Sequence, residues 1–143
     1  MSDRKNVLMI CTDHWSGSLL GCAGRKDIMT PTLDYLANNG IRYENFYSEC
    51  PVCIPARRSM MTGLTPKTHG DRAYADRMPM PDVPTLAETF RENGYQTMAV
   101  GKLHVYPQRN RIGFEGLILT EEERYEMGAV DDYQILLGEH GDL

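Results

Sequence analysis

No stretch of this sequence stays apolar long enough to cross a membrane. Its main apolar run near the start, Val7-Leu8-Met9-Ile10-Cys11, falls far short of the roughly 20 residues that a spanning helix needs. The run is also too short for the apolar centre of a secretion signal, and Asp13 follows almost at once. With no leader visible, the chain reads as cytoplasmic. A Lys/Arg-rich run is missing too, and the net charge is −5. Phosphate backbones are held by basic footprints, so nucleic acid is not an expected partner. Cysteine is sparse: Cys11, Cys22, Cys50 and Cys53 all lie in the first half, and reduced thiols are expected rather than a disulfide scaffold. Cys50 and Cys53 have the spacing of half a zinc site or a redox pair, but no second such pair and no close pair of histidines completes it.

What remains is a globular composition. Hydrophobic residues make up 41% of the 143 residues and charged residues 24%, enough for one domain with a real core. Val7 to Cys11, ending in Thr12-Asp13-His14, reads as a strand buried on both faces with function at its C-terminal end. Thr30-Pro31 starts a helix with Thr30 as a possible cap, Leu33, Leu36 and Ala37 form its stripe, and Asn39-Gly40 ends it. Ile41, Tyr43 and Phe46 suggest an extended return. Pro84 opens a second helix with a stripe of Leu86, Ala87 and Phe90, closed by Asn93-Gly94, and Tyr95 to Val100 follows as a strand. The phrases Pro31-Thr32-Leu33 and Pro84-Thr85-Leu86 read as one helix-start chemistry used twice. Gly63 to Pro84, rich in Gly, Pro, Asp and Thr, reads as a long surface loop, with His69 exposed in it. After Phe114 the pattern weakens, with a helix start suggested at Glu121-Glu122-Glu123 and an exposed His140 near the end. The alternation predicts an α/β fold with a mainly parallel sheet flanked by helices.

The chemistry centres on Cys53-Ile54-Pro55-Ala56-Arg57, followed by Thr62-Gly63. Pro55 belongs in a first helical turn, so Cys53 is expected at the helix N-terminus, where unpaired N–H groups and the helix dipole favour negative charge. Arg57 comes one turn later and brings its guanidinium back toward Cys53. A reactive centre beside a fixed cation suits a tetrahedral oxyanion substrate. Asp13 is either a rigidly mounted carboxylate or a cap for the turn after the strand. His14 reads equally as solvated, substrate-facing or a ligand. Met60 and Met61 read as core filling.

Cys53-x-Pro55-Ala56-Arg57 with Thr62-Gly63 resembles the signature of the sulfatase family, in which the Cys is oxidised to formylglycine. Asp13 resembles that family's N-terminal metal-ligand position, and Gly101-Lys102-Leu103-His104 is similar to its Gly-Lys-x-His segment, where Lys and His bind the sulfate. The resemblance implies an alkaline-phosphatase-like fold and hydrolysis of a small-molecule sulfate ester. It further implies maturation by a formylglycine-generating enzyme and a divalent metal held by Asp13 and the modified Cys53, Ca²⁺ ahead of Mg²⁺ or Mn²⁺. Of the two hydroxyls on the hydrated aldehyde, one would attack sulfur and the other would lose its proton to expel sulfate. Arg57 would hold the nucleophile's oxygen, Lys102 would bind sulfate oxygens, and His104 would also protonate the leaving alcohol. If extended, Lys102 and His104 would share one face.

The family's second pair of metal ligands and another sulfate-binding Lys lie far downstream. Glu139-His140-Gly141 is no substitute, having Glu where Asp is wanted and coming too soon after Lys102. Residues 1–143 therefore read as the N-terminal portion of a larger catalytic domain, with an oligomer or a complementary C-terminal segment as the implied completion. A phosphodiesterase or phosphonate monoester hydrolase of the same fold, or a catalytically incomplete fragment, are the alternatives.

Overall fold

The computed structural model describes residues 4–121 and 131–140. They fall into two compact units, the first running to Phe46 and the second starting at Tyr47.

In the first unit, the run Val7 to Cys11 is not a strand. Val7 is 65% and Ile10 71% exposed, and no ladder forms there. The reason is local: a buried strand needs a hydrogen-bonding neighbour and cover on its faces, and the unit's described regular elements are two 3-10 turns and one helix. That helix, α1, spans Pro31–Asn39 with Pro31 in its first turn, as the sequence predicts. Thr30 does not cap it. Its Oγ1 instead accepts from the Gly21 amide at 2.8 Å and donates to Asp34 Oδ1 at 3.1 Å. Asp34 Oδ1 also accepts from the Cys22 amide at 2.7 Å, so Thr30 and Asp34 pin the second 3-10 turn, Gly21–Ala23, to the helix start. The expected stripe is shallow, with Leu36 exposed and no residue of α1 buried. Ile41, Tyr43 and Phe46 are likewise exposed and form no strand.

The second unit holds the core. Helix α2 runs Cys53–Thr62 and is closed by Gly63 at φ 69°, a left-handed position in which the Gly63 amide donates to the Ser59 carbonyl. Helix α3, Pro66–His69, lies within the segment expected to be only a surface loop. Thr65 starts it by accepting from the Thr68 amide, and Pro66 fits its first turn. Helix α4 spans Leu86–Glu92 and begins with a reciprocal cap: Thr85 Oγ1 accepts from the Glu88 amide, and Glu88 returns a carboxylate oxygen to the Thr85 amide. Pro84 therefore precedes the cap, whereas Pro31 sits inside its helix. The shared Pro-Thr-Leu phrase occupies different helical positions, so the two starts use different chemistry.

Strand β1, Met98–Gly101, pairs in parallel with β2, Gly116–Leu119, from Met98 opposite Gly116 to Gly101 opposite Leu119. Helix α5, Asp132–His140, packs on β2, and His140 is exposed as expected. Glu122 and Glu123, where a helix start was expected, lie outside the described residues, and Glu121 is in a loop. The architecture is α/β with a small parallel sheet, but the sheet is not buried on both faces: Met98, Val100 and Ile118 are exposed. Its other side feeds a cluster of Met61, Leu103, Val105, Ile112 and Leu119, flanked by Met60, Ala99, Phe114 and Leu117. Burial of each such large side chain stabilises the fold by about 1.5–3 kcal/mol.

Gly113 locks the segment before β2 against α4. It has φ 95°, and a Cβ there would come within 2.5 Å of the Glu88 amide nitrogen. Beside it, buried Thr85 donates to the Ile112 carbonyl at 2.6 Å. Thr85→Ala removes both the cap and this link and is expected to lower the unfolding free energy by about 2 kcal/mol in denaturant titration. Thr85→Ser, which keeps the oxygen, should retain most of it.

Candidate functional site

Cys53 is the first residue of α2 and is half-buried. Val52 before it is extended and supplies no capping side chain, so the helix presents its N-terminal pole at the cysteine. Arg57, one turn on, donates through Nη1 to the Lys102 carbonyl at 2.6 Å. That bond fastens α2 to the segment leaving β1. Lys102 sends its own ammonium to within 3.6 Å of Cys53 Sγ. Three of the sequence's candidate residues are thus linked at one helix pole, with the Lys102 ammonium beside the Cys53 sulfur and Arg57 tied to the Lys102 backbone.

His104 arrives differently from the expected alternation along a strand. It is 3% exposed, and its φ of 59° is left-handed, a conformation that costs a non-glycine residue about 1–2 kcal/mol. Lys102 and His104 therefore do not share a face through extended geometry. His104 Nε2 lies 3.4 Å from the Tyr74 hydroxyl and 3.8 Å from Asp76 Oδ1, and Tyr74 in turn donates to Asp76 at 3.1 Å. Tyr74 also meets the imidazole edge-on, with ring centroids 5.9 Å apart. Tyr74 and Asp76 border the candidate site and had not been singled out from sequence, since the loop composition around them gives no periodic signal.

Behind α2 lies a buried polar group that sequence reading also missed. Arg58 and Asp71, 3% and 1% exposed, pair at 3.4 Å, and Arg58 donates further to the Met78 and Pro79 carbonyls. His69 is buried rather than exposed. Its Nε2 is 3.0 Å from Ser59 Oγ, and its Nδ1 accepts from the Asp71 amide at 3.2 Å. These contacts bolt α3 and the loop after it to the flank of α2. His69-Gly70-Asp71 at the end of a short Pro-started helix was the available signal, but polar residues in a Gly-rich stretch read as solvated.

Asp13 belongs to the first unit, where it is exposed in a turn, with His14 beside it at φ 51°. Its carboxylate suits a hard cation such as Ca²⁺ or Mg²⁺, whereas the unmodified Cys53 thiol is a soft ligand. An oxygen in place of that sulfur would match Asp13 in hardness.

A family model described as Sulfatase matches residues 5–135. An arylsulfatase of Clostridium perfringens is 40% identical over 118 residues, covering 82% of this chain and 24% of that protein. Human iduronate 2-sulfatase is 37% identical over 105 residues, covering 71% of this chain and 19% of that protein. A choline-sulfatase of Rhizobium meliloti is 31% identical over 132 residues, covering 92% and 25%. The chain thus spans a quarter or less of the length of these curated relatives.

Burial lowers the His69 pKa from its ordinary value and the nearby Arg58 cation lowers it further, while Asp71 opposes the shift. The folded state thereby favours neutral His69. The stabilisation is fully present above the unfolded value of about 6.5 and is lost as pH falls toward and through the lowered folded value. Unfolding free energy measured across that window should fall with pH in the wild type, and more weakly in His69→Gln. Equal slopes would show that His69 is not the group responsible.

Proposed function

This chain belongs to the sulfatase family, with its alkaline-phosphatase-like α/β fold, and on that premise we propose that it carries the nucleophile end of a sulfate-ester hydrolase. The supporting observation is the Lys102 ammonium 3.6 Å from Cys53 Sγ at the pole of α2, with Arg57 fixed to the Lys102 carbonyl. In this reading Cys53 is converted to formylglycine by a formylglycine-generating enzyme. The hydrated aldehyde would supply one hydroxyl to attack sulfur and a second whose deprotonation releases sulfate.

The chain's own residues then divide the work. Lys102 binds sulfate oxygens, and its charge opposes the negative charge gathering there as the sulfur–oxygen bond to the alcohol breaks. Arg57 holds the oxygen on residue 53 and stays oriented through the Lys102 carbonyl. His104 gives a proton to the leaving alcohol oxygen. Asp13, with the oxygen on residue 53, would hold a divalent cation, Ca²⁺ first, that adds positive charge for the sulfate and lowers the hydroxyl pKa.

The test compares a sulfate ester with the matching phosphonate ester, using the protein as its host makes it. Higher kcat/KM on the sulfate is expected, and Lys102→Ala should lower it by about 10²- to 10³-fold. Faster turnover of the phosphonate would assign the chain to phosphorus-ester hydrolysis instead, and an unchanged Lys102→Ala would remove Lys102 from the site.

A further inference from the structure

Lys102 sits between two peptide units that are held by separate parts of the fold. The unit before it begins at Gly101, which ends β1 at φ 102° and whose carbonyl accepts from the Thr120 amide at 3.2 Å. The unit after it is gripped at both poles. Its oxygen, the Lys102 carbonyl, accepts from Arg57 Nη1 at 2.6 Å, and its N–H, the Leu103 amide, donates to Glu121 Oε1 at 2.8 Å. Glu121 is 2% exposed and has no part in the chemistry described so far. It also takes the His104 amide, at 2.8 Å on Oε1 and 3.1 Å on Oε2, so one buried carboxylate closes the turn that follows Lys102. Glu121 is itself fixed, because its amide donates to both carboxylate oxygens of Asp131 at 2.9 Å. Asp131, 8% exposed, stands just before α5, where its carbonyl takes the Ile135 amide.

We propose that Glu121 is the positioning residue for Lys102, holding the backbone from which the ammonium reaches the sulfate oxygens. The inference rests on the sulfate-ester reading above. A side chain leaves the backbone in the direction that its flanking peptide planes set, and the long flexible stem of a lysine magnifies any error at its root. Arg57 grips the Lys102–Leu103 plane at its oxygen, and a single contact lets a plane rock about it. Glu121, at the N–H of the same plane, removes that freedom. Burial of Leu103 in the core pins the next side chain but does not set the tilt of the plane before it. The ammonium mounted in this way lies 3.6 Å from Cys53 Sγ, where it can meet a sulfate group held at residue 53. A buried carboxylate accepting backbone N–H groups suits the task, since charge-assisted bonds are shorter and stronger than neutral ones.

The experiment is a double-mutant cycle on the protein as its host makes it, read as kcat/KM on a sulfate ester. Glu121→Ala should lower it about 30-fold when Lys102 is present and no more than about threefold in a Lys102→Ala background, because a misplaced ammonium can be lost only once. Glu121→Gln should cost about threefold at most, since one oxygen in the Oε1 position still accepts both amides. Glu121→Asp keeps the charge but withdraws it, and carries the same cycle with a loss of about tenfold if the alanine variant does not fold. Equal losses in the two backgrounds, in variants with wild-type circular dichroism, would show that Glu121 acts on the fold or through the His104 turn, and would overturn the proposal. So would no loss in the presence of Lys102. The parent reading fails separately: a wild type inactive on the sulfate ester, or a Lys102→Ala variant as active as wild type, overturns it and this proposal together.

Discussion

The hydrogen bond from Arg57 to the Lys102 carbonyl joins two elements far apart in sequence, the start of α2 and the end of β1. It ties α2 to the segment that leaves β1. With it, the residue whose carbonyl is held turns its ammonium toward Cys53, so one contact both assembles the scaffold and brings a cation to the sulfur. An arginine suits this task because its planar fork can bond a carbonyl with one edge and still carry further N–H donors. The buried Arg58–Asp71 pair and the Ser59–His69 contact brace the neighbouring face of α2, so consecutive residues of one helix hold it from two directions.

Much of the local organisation was legible in the sequence. Pro31 and Asn39-Gly40 bracket α1, Pro55 places Cys53 at the start of α2, and Met61 lies in the core with Met60 against it. Patterns confined to one turn of chain carry their own physics, which is why helix ends, prolines and the Cys-x-Pro-Ala-Arg run could be read directly, although Thr30 does not cap α1. What depends on distant partners could not be. Val7 to Cys11 has the composition of a buried strand, but composition supplies no ladder, and in its unit the run stays exposed. β2 and α5 were missed because Gly116–Leu119 is short and the apolar positions of α5 form no buried stripe.

The candidate site divides along the same line. Cys53, Arg57, Lys102 and His104 were named from motif spacing, and the first three lie in contact. His104 kept its place in the list but not its expected geometry, because alternation along a strand cannot foresee a left-handed turn. The residues that enforce that turn, Glu121 and Asp131, are acids next to a short strand and a helix start, and only the fold reveals that their oxygens receive backbone amides. Sequence spacing thus named residues that the fold brings into contact, whereas the contacts that hold them emerged only in three dimensions.

In the proposed reaction residue 53 carries the nucleophile, with the Lys102 ammonium beside it and Arg57 holding the Lys102 backbone. Peptide mass analysis of the protein, made together with a formylglycine-generating enzyme, tests this most directly. The account predicts an aldehyde in place of the thiol at Cys53 and an unchanged thiol at Cys50, which lacks Pro and Arg at the corresponding offsets. An aldehyde at Cys50, or an intact thiol at Cys53 under those conditions, would contradict it.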